Sequence, residues 1–153
     1  MINRIDENFH KRRADALGYV YFSRLNNLII KETGEDNPSF DYLIDIGDSR
    51  HRQTGRLFGV CIKAFQNGNL NKKRLVKPYQ SVSFPVLNVF FDTHKDLGFY
   101  NWIKKPLEKG NLELEKPEQE IEELTTESLE SIVEMISYWY DHKKVVQSTL
   151  QYS

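Results

Sequence analysis

One cysteine, Cys61, stands in a chain of 153 residues. That scarcity excludes an internal disulfide and any zinc site built from several thiolates, and it suits a reducing compartment. Long apolar runs are also missing, and no stretch approaches the ~20 residues that a membrane span needs. The opening MINRIDENFHKRR is too charged for a secretory leader. Internal repeats and low-complexity stretches are absent. The four histidines, His10, His51, His94 and His142, are scattered without ligand spacing. Gly55 and Gly59 open no helix, so they form no phosphate loop. A cytoplasmic protein with no membrane association is the expectation.

What is present can build a core. Hydrophobic residues make up 39% and charged residues 28%, with nine Phe, eight Tyr and two Trp. Such a chain is not disordered, and its length suits a single domain over 1–153. The net charge of −1 hides an asymmetry. Residues 1–105 hold 17 Lys/Arg against 11 Asp/Glu, a balance of +6; residues 106–153 hold 4 against 11, a balance of −7. The basic part suits a polyanion, although a solvated surface beside an acidic C-terminal helix accounts for the same numbers.

Periodicity gives the elements. Ile5, Phe9, Ala16, Leu17, Val20 and Leu28 fall at helical spacing, predicting a helix over 5–28. Residues 31–39, KETGEDNPS, have loop composition. FDYLIDIG (40–47) and GRLFGVCIKAF (55–65) flank a polar connection and predict an antiparallel hairpin. Residues 66–77 predict a basic loop. SFPVLNVFFDT (83–93) is the most apolar run and predicts a buried central strand. LGFYNWIKK (97–105) predicts its hairpin partner, turning at 94–96, and Leu112–Leu114 a short strand. Thr125 or Thr126 can cap a final helix whose apolar stripe is Leu129, Ile132, Val133, Ile136, Trp139 and Tyr140. The expected fold class is α/β, a mixed sheet of about four to five strands flanked by an N-terminal and a C-terminal helix.

Strand alternation puts Asp41 and Asp45 on one face of the first hairpin strand and Cys61 and Lys63 on one face of the second. If the hairpin closes around 48–54, Asp41 faces the Cys61–Lys63 region. A carboxylate and an amine so placed suit phosphodiester hydrolysis. The carboxylate can hold a divalent cation, and the amine can orient water or stabilise developing charge.

The segments FDYLID, TGRLFGVCIKAF, FPVLNVFFDT and GFYNWI, in this order, resemble the PD-(D/E)XK nuclease superfamily. They are most similar to its bacterial branch known as the domain of unknown function 4365, over about residues 5–140. The resemblance implies a restriction-endonuclease-like core and a nuclease, or nuclease subunit, acting on DNA or RNA, with bacterial defence as a setting. It implies Asp41 as metal-binding aspartate, Lys63 as motif lysine and Glu7 as an added helix acid. The cofactor would be Mg²⁺ or Mn²⁺.

The sequence departs from the pattern at Cys61, where the family has Glu or Gln. Cysteine is a poor ligand for hard cations. Asp45 or Glu7 would have to supply the missing oxygen, or Cys61 binds a softer metal, or the module is catalytically degenerate and binds nucleic acid or a partner protein. Lys72, Lys73, Arg74 and Lys77 are candidates for phosphate contacts, as are Lys11, Arg12 and Arg13. Each of these basic runs suits a solvated surface as well. Homodimerisation stays open.

Overall fold

The computed structural model describes residues 4–33, 40–65, 77–115 and 119–151. Helix α1 spans Arg4–Ser23 and is followed by strand β1, Leu28–Glu32. Strands β2 (Tyr42–Ile46), β3 (Leu57–Phe65), β4 (Val86–Asp92) and β5 (Leu97–Pro106) follow. Short strands β6 (Leu112–Leu114) and β7 (Glu122–Glu123) precede helix α2, Thr126–Gln151. The fold is α/β around a mixed sheet of order β1-β2-β3-β4-β5-β6, with β7 also on β5. Among the described residues, only β3 and β4 run parallel; the other pairs are antiparallel. Among the described residues, no helix is long and apolar enough to cross a membrane.

The first helix is shorter than its periodicity predicts. It stops at Ser23, and Leu28 opens a strand that pairs with Ile46. Leu25, Leu28, Ile29 and Ile30 satisfy helical spacing and a β-branched strand alike, and Asn26–Asn27 turns the chain between them. Among the described residues, the sheet also has seven strands rather than four or five. β6 falls at the expected Leu112–Leu114, whereas β1 takes up the end of the expected helix and β7, with two residues, is too short to leave a period.

The hairpins follow expectation. All seven residues of β4 are buried, as a strand with neighbours on both edges and cover on both faces requires. Asp92 closes the β4–β5 turn by accepting the His94 and Lys95 amides at 2.9 and 3.2 Å. Thr125 caps α2: its hydroxyl accepts the Ser128 N–H at 3.0 Å, while Ser128 accepts the Thr125 N–H at 2.7 Å.

Both helices lie against the same sheet face, not one on each side. Tyr42, Ile44 and Ile46, Phe58, Val60 and Ile62, and Leu87, Val89 and Phe91 alternate onto that face. They share one core with Ala14, Tyr21 and Phe22 of α1 and with Leu129, Ile132, Val133 and Ile136 of α2. The opposite face has a smaller core of Cys61, Tyr79, Val82, Val86 and Ile103. A bulge in β5 turns Lys104 toward that second cover. Its ammonium donates to the carbonyls of Tyr79, Gln80 and Val82 and pins the turn that begins at Lys77. Burial pulls the Lys104 pKa below its ordinary value.

Candidate functional site

Asp41 immediately precedes β2, and its amide donates to Val60 O at 2.9 Å. Its carboxylate reaches the adjoining stretch of β3, where Oδ2 accepts the Ile62 N–H at 2.6 Å. The register therefore brings Asp41 against the backbone between Cys61 and Lys63. Two close fits hold it there. The Phe40 ring lies over Gly59, and α1 lies over Ile62 at Gly18, where an added Cβ would stand 2.5 Å from Ile62 Cδ1.

The cation on Asp41 comes from α1. Lys11 Nζ donates to Asp41 Oδ1 at 2.8 Å, to Asp15 Oδ1 at 2.7 Å and to the Ile62 carbonyl at 3.0 Å. An ammonium has three N–H donors, and all three are used. Asp15 is held in turn by helix packing, since the Tyr42 hydroxyl donates to its carbonyl at 2.9 Å. Asp15, Thr33, Phe40, Asp41 and Tyr42 line a concavity of about 330 Å³. The three charged groups sum to −1, so the site is compact and nearly balanced.

The other expected residues are distributed differently. Ile62 faces α1, so alternation sends Cys61 and Lys63 to the opposite side of β3. Cys61 is fully buried, with its thiol 3.3 Å from the Tyr79 hydroxyl. Lys63 is half-buried and lies in register with Phe90 of β4. Asp45 is 1% exposed, and its oxygens accept Thr54 N–H, the Thr54 hydroxyl and Gly55 N–H at 3.1, 3.3 and 3.1 Å. It therefore closes the β2–β3 turn, where Gly55 takes a φ of 81°. Asp41 and Asp45 thus serve separate partners.

Glu7 lies in α1 one helical turn before Lys11, but its side chain is outside the described residues. Lys72, Lys73 and Arg74 are also outside them, whereas Lys77 is exposed at the start of a 3-10 turn. Arg13 makes two bonds to the Asp96 carboxylate, at 2.9 and 2.6 Å, and Arg12 is exposed. Sequence reasoning did not single out Asp15, and it read Lys11 only as a candidate phosphate contact, not as the partner of Asp41. Their i,i+4 spacing is a recognisable pair signal, but one common on solvated helices.

Among the described residues, the donor set does not fit the divalent cation that the resemblance implies. Mg²⁺ demands near-octahedral oxygen ligation. The oxygens gathered at Asp41 are already bound to an ammonium, and the Cys61 thiol faces the other side. Among the described residues, no group of three His, Cys, Asp or Glu is arranged to hold a metal. Comparison with known families, curated proteins and solved structures finds no match.

Proposed function

We propose that this chain is a nuclease-fold-like module that binds nucleic acid without metal-dependent cleavage. The carrying observation is the Lys11 ammonium, which takes Asp15, Asp41 and the Ile62 carbonyl at 2.7–3.0 Å, the oxygens a metal would need. Cys61 adds to this, because the motif's second acid is replaced by a buried thiol. The restriction-endonuclease-like identity of the core belongs to the same proposal. It rests on the likeness of FDYLID and TGRLFGVCIKAF and accords with a mixed sheet whose β3–β4 pair is parallel. The +6 balance of residues 1–105 supports a polyanionic partner.

Anisotropy titrations with single- and double-stranded DNA and with RNA test this, run across salt and alongside cleavage assays in Mg²⁺ and Mn²⁺. The expected result is binding that weakens steeply with salt, by a log–log slope of about 0.7–0.9 per neutralised phosphate, with the strands left intact. Metal-dependent cleavage that disappears in Lys63→Ala would replace this reading with an active nuclease. Absence of binding even at low salt would leave a protein-interaction module.

A further inference from the structure

Helices α1 and α2 bury one side each against a common sheet face, and each turns another side to solvent. On α1 the outward positions include Phe9, Arg12, Ala16, Tyr19, Val20 and Ser23. On α2 they include Glu127, Glu130, Ser131, Glu134, Met135 and Tyr138. Both sets recur at intervals of three and four, the spacing of a helix–helix seam. Both carry large apolar groups in the open: Phe9 is 57% and Tyr19 53% exposed, and Tyr138 is 58% exposed.

The two surfaces differ in sign. The α1 stripe carries Arg12 and is flanked by Arg13, while residues 126–142 contain no Lys or Arg at all. Among the described residues, no ion pair engages Arg12, Glu127, Glu130 or Glu134. Arg12 therefore lies on one helix and the carboxylates Glu127, Glu130 and Glu134 on the other. Each surface has the apolar groups to meet its counterpart.

We infer that the helical layer is a self-association surface, on which α1 of one copy packs along α2 of a second copy. A second copy is the partner that supplies both complements in one contact. Because both helices lie on one sheet face, a two-fold axis between them brings α1 onto α2 and α2 onto α1 together. Such an isologous arrangement closes after two subunits. This inference does not depend on nucleic-acid binding.

Sedimentation of the full chain from about 1 to 200 µM, at low and high salt, reads the equilibrium directly. The variants are Arg12→Glu, Glu134→Arg and the two combined; all are exposed positions, and circular dichroism checks the fold. The expected result is a reversible monomer–dimer equilibrium, weakened about tenfold or more by either single change and by salt, and recovered in the double variant. A monomer throughout the range, or a dimer indifferent to these charges, would overturn the assignment. So would a monomeric protein whose nucleic-acid affinity falls in Arg12→Glu, which would give the α1 face to a polyanion instead.

Discussion

Gly59 carries the ring of Phe40: a Cβ at position 59 would stand 2.5 Å from two carbons of that ring. Phe40 also packs against Tyr79 and Phe84, with ring centroids 5.6 and 5.7 Å away. It is thus pinned between β3 and the turn that covers the smaller core. The next residue is Asp41, so a glycine on one strand sets where the carboxylate on its neighbour emerges.

Gly59→Ala is therefore expected to push Phe40 aside and to destabilise the fold by about 1–3 kcal/mol, the usual range for overpacking. Urea denaturation measures this. Adding Phe40→Leu should return part of the loss, because a smaller side chain can clear the new methyl. A Gly59→Ala protein as stable as wild type would mean that the ring is not held there.

Lys11 is the second point of test. Lys11→Met keeps the stem but leaves Asp15 and Asp41 facing one place without a counter-charge. The side chains of this trio are partly exposed, so the loss is expected near 1 kcal/mol. On the proposed reading, the wild-type ammonium takes the place of a second cation. Addition of about 5 mM Mg²⁺ or Mn²⁺ should leave the melting temperature unchanged, because only a ligand that binds the native state raises it. A clear rise in wild-type Tm would show that Lys11 gives way to metal.

The β2–β3 hairpin, β4, β5 and α2 were legible because alternation, turn residues and a capping threonine all act within a few residues of one another. The side of the sheet taken by each helix was not legible. A helical stripe says which side of the helix is buried, not which face of the sheet receives it. The site was half legible for a similar reason. Asp41 could be set against the Cys61–Lys63 stretch by strand register alone. Its true cation is 30 residues earlier in the chain, on a helix whose Lys11–Asp15 spacing looks like surface decoration. Arg13 and Asp96, 83 residues apart, were hidden in the same way.

Tyr140 gives a pH prediction. Its hydroxyl accepts the Leu57 N–H at 2.9 Å and donates to the Leu57 carbonyl, tying α2 to the start of β3. Burial, opposed in part by the Leu57 contact, pushes its pKa up to about 12. A raised folded-state pKa means that the native protein holds its proton longer than the unfolded chain. The associated stability is complete below the ordinary value of about 10 and is lost as pH rises through about 12. With solvent screening at a partly exposed group, the loss is on the order of 1 kcal/mol. Tyr140→Phe should be less stable than wild type at pH 8, with the difference shrinking toward pH 12. Tyr100, raised to about 12 by burial and its bond to Glu122, and Lys104, shifted downward, are common to both proteins and largely cancel in that difference.

On the proposed nuclease-like reading, Cys61 separates a disarmed site from a repacked one. Were the surroundings of the motif position kept, Cys61→Glu would restore a ligand at little cost. The thiol is instead fully buried among Tyr79, Val82, Val86 and Ile103 and contacts the Tyr79 hydroxyl. A glutamate there must fit a longer side chain and a charge into a space built for a small apolar group. Cys61→Glu is expected to cost more than about 3 kcal/mol, whereas Cys61→Ser should cost about 1–2 kcal/mol. Thiol labelling provides an independent reading. Native Cys61 should react with a disulfide reagent only as fast as the fold opens, and at once in denaturant. Fast labelling of the native protein together with a stable Cys61→Glu variant would mean that the position opens to solvent, and that a single substitution is enough to bring an acid back into the motif.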